Sequence, residues 1–80
     1  MSMAIEEASE LIKAICKLRR NGVTAETVNN LAEEMADVEI ILEQLKIMFH
    51  LAEGVGEWKN YKLKRLLQTI KGAQKNASYH

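Results

Sequence analysis

The chain has 80 residues, with 11 Lys/Arg balanced by 11 Asp/Glu. That length makes a single domain over 1–80, burying only about 60% of its unfolded surface, and the even charge leaves no basic field to draw in nucleic acid. Cys16 is the only cysteine, which excludes an intrachain disulfide, so a metal or self-association is the expected supplement to a small core.

No apolar run approaches the roughly 18 residues of a membrane span, and the first residues lack a signal-peptide layout. The expectation is a cytoplasmic protein with no membrane partner. There is no proline and little glycine or aromatic content, beside abundant Leu, Ile, Ala, Glu and Lys. This composition favours helix throughout, an all-α fold of three helices.

The first helix is expected from Met3 to Arg20. Ile5, Ala8, Leu11, Ile12, Ile15 and Leu18 recur at helical steps and form its apolar face. Asn21-Gly22 ends it, with glycine suited to a left-handed cap and Arg19/Arg20 in the last turn. Thr24 opens the second helix, expected over 25–52. That helix carries two apolar stripes. Leu31, Met35, Val38, Leu42, Leu45 and Phe49 form one; Ile40, Ile47 and Leu51 lie about 160° away at 100° per residue. Two stripes call for two covers, and in so short a chain the second is expected from another subunit, giving an oligomeric antiparallel helical bundle, dimer or tetramer. Gly54-Val55-Gly56 is read as the break before a third helix over 57–73, and residues 73–80 as a frayed tail.

Two pairs of acids then stand out. Glu7 and Glu10, three apart, rise from one side of helix 1, where the wheel alone makes them a solvated face. Glu34 and Asp37 repeat the step on helix 2, between its two apolar stripes, where side chains are semi-buried. Crowded, half-dry carboxylates repel and raise each other's pKa unless a cation sits among them. Mg²⁺ suits them: it takes oxygen ligands octahedrally and keeps positions for water and substrate phosphate. No histidine or cysteine stands at ligand spacing to favour zinc or iron; His50, His80 and Cys16 offer nothing of that kind.

The arrangement Glu6-Glu7-x-x-Glu10, then Glu34-x-x-Asp37 after twenty-three intervening residues, resembles the MazG-like all-α nucleoside triphosphate pyrophosphohydrolases. The likeness takes in Ala4–Lys17 in the first motif helix, Asn30–Val38 in the second, and Tyr61-Lys-Leu-Lys-Arg-Leu66, which looks like the short, phage-type members. The resemblance implies hydrolysis of an NTP or dNTP to the monophosphate and pyrophosphate with Mg²⁺, Mn²⁺ being a substitute. It implies Glu7, Glu10, Glu34 and Asp37 as metal ligands, with Glu6 and Glu7 as the catalytic acids, Glu6 orienting a ligand or activating water. Family members usually carry a helix or partial helix ahead of the first motif. Here the motif opens at Glu6, so the pocket is completed by a neighbouring subunit, base recognition is loose, or the chain is a reduced member.

Lys62 and Arg65, in the cluster with Lys59 and Lys64, are candidates to hold the triphosphate, against the plainer reading of a solvated helix face. Lys13 is a third candidate, with an intrahelical pair to Glu10 as the plainer account. Trp58 could stack on a base or simply anchor helix 3. Two other readings stay open: a non-catalytic helical assembly module, and the same superfamily acting on a phosphoribosyl-nucleotide.

Overall fold

The structure, a computed structural model, describes residues 1–77, with side chains through residue 72. It is all-α: α1 spans Ser2–Asn21, α2 Ala25–Phe49 and α3 Ala52–Ala77. Two compact units divide the chain, residues 1–49 with α1 and α2, and residues 50–80 with α3.

The first turn between helices is built from its threonines. Gly22 ends α1 at φ 86°, with its N–H on the Leu18 carbonyl at 2.8 Å. A side chain rarely adopts that φ, and glycine does so at no steric cost. Thr24 then caps α2, its Oγ1 accepting the Thr27 N–H at 3.1 Å. Thr27 reciprocates, since its Oγ1 accepts the Thr24 N–H at 2.9 Å. This is the reciprocal geometry of a capping box, with threonine doing at the third position what glutamate usually does. The Thr27 hydroxyl also donates to the Gly22 carbonyl at 2.9 Å, so the buried side chain is satisfied and ties both helices to one turn.

From that turn α1 and α2 run back along each other. Met3 and Glu7, near the start of α1, meet Asp37, Ile41 and Gln44 of α2. The seam of this hairpin differs from the face expected for α1. Ala4, Glu7, Glu10, Leu11, Ala14, Lys17 and Leu18 are shielded by α2, while Ile5 and Ile12 are 69% and 61% exposed. Two facts explain the rotation. The apolar positions of α1 span an arc of about 200° at 100° per residue, twice what one neighbour covers. Ala4 and Ala14 are small enough to let the helices close, and Ala14, at 2%, is the one fully buried apolar residue among those described. The acids of α1 therefore lie in the seam, and Ile5, Ile12 and Ile15 are left outside.

On α2 the inner face is Thr27, Asn30, Leu31, Glu34, Asp37, Val38, Ile41 and Leu45, all buried or half-buried. Ile40 and Ile47 lie on the other side, exposed. The helix stops at Phe49 because His50 turns to φ 54°, the left-handed region.

Gly54-Val55-Gly56 is not the break expected from sequence. Those residues lie inside α3, which starts at Ala52 with the Val55 N–H bonded to the Leu51 carbonyl at 2.8 Å and Glu53 in its first turn. An acid there is favoured by the helix dipole. Helix 3 also continues past residue 73 to Ala77, so the expected tail is helical that far; residues 78–80 lie outside the described residues. No described helix is long and apolar enough to cross a membrane.

Candidate metal centre

Helical periodicity places the acids before any ligand is considered. Glu34 and Asp37 are three apart on the inner face of α2, and Glu7 comes from the opposing turn of α1. One carboxylate oxygen from each of these three residues lies within 4.8 Å of the others, all three side chains being half-buried. Oxygens sharing one Mg²⁺ are about 2.9 Å apart when adjacent and about 4.1 Å when opposite, given ligand distances of 2.0–2.1 Å. Closing the trio onto one ion therefore needs the oxygens to approach one another by up to about 2 Å.

The electrostatics agree with the geometry. Glu7 is held above its ordinary carboxylate pKa, first by loss of hydration and then by the charges of Asp37, Glu6 and Glu10, with a side-chain hydrogen bond to Asp37 adding to the rise. Glu34 is raised likewise, by loss of hydration and then by Asp37, Glu10, Glu33 and Glu7. Both carboxylates are thus harder to ionise than ordinary glutamates. A divalent ion would offset this repulsion, and a donor set of three carboxylates with no nitrogen or sulfur is of the kind that suits Mg²⁺ or Mn²⁺.

Glu10 stands apart from the other three. It faces the seam closely enough to act on Glu7 and Glu34 through its charge, but its Oε1 pairs with Lys13 Nζ at 3.3 Å. That pair is solvent-exposed, an ordinary i,i+3 contact on the helix surface, and it occupies the Lys13 expected at the phosphates. Glu6 is exposed beside Glu7. Lys62 and Arg65 lie in the other unit, on one face of α3 with Leu66 and Thr69. Trp58 and Tyr61 make an edge-to-face pair on α3, with centroids 5.9 Å apart and planes at 89°, and both rings remain exposed. Cys16 is exposed.

Beside the acids a cleft of about 140 Å³ opens between Met3, Glu7, Asp37, Ile40, Ile41 and Gln44. That volume admits an ion with its waters but falls short of the roughly 300 Å³ at which small-molecule pockets begin. No family model matches the chain, and no curated protein or solved structure does either.

Proposed function

We propose that the chain is a Mg²⁺-dependent nucleoside triphosphate pyrophosphohydrolase, working as a homo-oligomer and converting an NTP or dNTP and water to the monophosphate and pyrophosphate. The observation that carries this reading is the convergence of Glu7, Glu34 and Asp37 from facing helices, their oxygens within 4.8 Å, in a half-buried setting that raises the pKa of two of them. A helical assembly module has no need to spend stability on such repulsion; a phosphate-processing site does. The motif resemblance to MazG-like pyrophosphohydrolases supplies the reaction, and the small cleft supplies the reason to expect a second copy around the nucleotide.

In this scheme Glu7, Glu34 and Asp37 hold the metal, which contributes positive charge against the triphosphate. Glu10 adds negative potential from the edge of the seam and becomes a further ligand if it leaves Lys13. Glu6, exposed and adjacent, is free to take the proton of the attacking water as the bond between the α- and β-phosphates breaks. Phosphoryl transfer rests on positioning and electrostatics, so this residue set needs no covalent nucleophile.

The test is direct. Purified chain incubated with Mg²⁺ and a panel of NTPs and dNTPs should release pyrophosphate rather than orthophosphate, and Glu34→Gln should abolish the release. Absence of turnover for every nucleotide by folded protein in saturating Mg²⁺ would refute the activity.

A further inference from the structure

An exposed face of α2 beside the seam carries Ala36, Ile40 and Ile47, with Glu39 and Glu43 along the same open groove. Ile40 is 57% and Ile47 75% exposed. Lys46 pairs with Glu43 at 3.0 Å, which leaves Glu33 and Glu39 as the uncompensated acids of this face. Two such faces would meet badly, glutamate against glutamate. The surface calls for an amphipathic helix with a basic border.

The chain itself holds one. On α3, Leu63, Leu66, Leu67 and Ile70 fall on one helical stripe, all exposed. Lys59 lies within that stripe and Lys62 and Lys71 flank it. Both stripes repeat at seven residues, Ile40 to Ile47 and Leu63 to Ile70, a step of about 10.5 Å along each axis. The charges divide the same way. Residues 1–49 have five Lys/Arg against nine Asp/Glu, a net of −4, and residues 50–80 have six against two, a net of +4. An electroneutral chain is thus a strongly acidic hairpin joined to a strongly basic helix, a pattern suited to pairing between copies.

We infer that the chain self-associates through a two-fold contact in which α3 of each copy lies parallel to α2 of the other, Leu63 on Ile40 and Ile70 on Ile47, with Lys59 and Lys62 facing Glu33 and Glu39. The contact is heterologous within each patch but occurs twice about the two-fold axis, so it closes as a dimer and leaves no end to propagate. It uses the exposed face of α2, which borders at Ile40 the cleft beside Glu7 and Asp37. It is independent of the catalytic reading, because sedimentation detects it whether or not nucleotide is turned over.

Sedimentation equilibrium of the full chain, at low and at 1 M salt, should show a dimer that loosens with salt as the charges are screened. The double variant Glu33→Lys/Glu39→Lys should weaken self-association about tenfold, and Lys59→Glu/Lys62→Glu should do the same. All four positions are exposed, so folding is spared, with far-ultraviolet circular dichroism as the check. Mixing the two variants is the decisive arm. In the mixed dimer both contacts become complementary again, lysine on glutamate in each, and a 1:1 heterodimer of wild-type affinity should form. A monomer at all concentrations, dimers indifferent to charge reversal, or variants that fail to rescue each other would each overturn the proposal.

Discussion

Magnesium should stabilise this protein, and only where its acids are ionised. Glu7 and Glu34 bind their protons more tightly folded than unfolded, their pKa values being raised above the ordinary 4.5. The folded state therefore carries the extra protons, and apo stability falls as pH rises. Their contribution is fully present below about pH 4.5, the unfolded value, and is lost as pH climbs through the raised folded values. Adding Mg²⁺ at neutral pH reverses that loss. An ion at 100 times its dissociation constant contributes about 2.7 kcal/mol by mass action. For a domain of 60–100 residues, each kcal/mol moves the melting temperature by about 4–8 °C, so saturation should raise it by roughly 10–20 °C. Thermal melts followed by circular dichroism, with and without Mg²⁺ at pH 4 and pH 7.5, measure both effects. The pH 4 pair should nearly coincide, since protonated carboxylates do not bind the ion. Glu34→Gln removes one of the repelling charges, so it should melt higher than wild type without metal at pH 7.5 and lose most of the Mg²⁺ response. A Mg²⁺ shift that survives in Glu34→Gln, or a wild-type shift equal at both pH values, would refute the argument that these acids share an ion.

The glycines give a test of where the helices end. Gly54→Ala and Gly56→Ala should each stabilise by about 0.5–1 kcal/mol, because both sites are helical and open to a Cβ. Gly22→Ala should destabilise, since φ there is +86°. Urea midpoints at constant m decide it, and a loss of stability at position 54 or 56 would return the break to the place suggested by the glycines. Thr27→Val should cost about 1–3 kcal/mol by leaving the Thr24 N–H and the Gly22 carbonyl without their partner, with Thr27→Ser restoring most of it. Equal stability of valine and serine at 27 would show that the turn does not depend on that hydroxyl.

The three helices were legible because each has a long run at helical period, and the end of α1 was legible because glycine sits where φ must be positive. The end of α2 was not. The break falls on His50, a residue type that gives no punctuation, while two glycines nearby sit quietly inside α3. The start of α2 held a readable signal, threonine at 24 and again at 27, which departs from the usual capping box only in using a hydroxyl at the third position. The harder loss concerned α1. Its apolar positions cover so wide an arc that periodicity shows which residues are greasy but not which half α2 will take. Reading Ile12 and Ile15 as the inner face sent Glu7 to solvent, and the small residues at 4 and 14, which decide how closely α2 can approach, carry little weight in an apolar pattern. The same spacing did identify Glu34 and Asp37 as half-buried, since they lie between two stripes of one helix.

The placement of the acids and the lack of a core bear on each other. A hairpin whose fully buried apolar complement is Ala14 gains little from the hydrophobic effect, yet it holds three half-dry carboxylates within 4.8 Å of one another. Left alone, both features oppose folding. Ile5, Ile12 and Ile15 on α1 and Ile40 and Ile47 on α2 are apolar surface that stabilises only when covered, and the trio is tolerable only when its charge is offset. Binding equilibria that select the folded form add to its stability, so a cation bound in the seam and a second copy on the exposed faces would reinforce each other through folding. The large exposed side chains and the repelling acids then lead to the same prediction: the chain should gain stability from a bound cation and from self-association together.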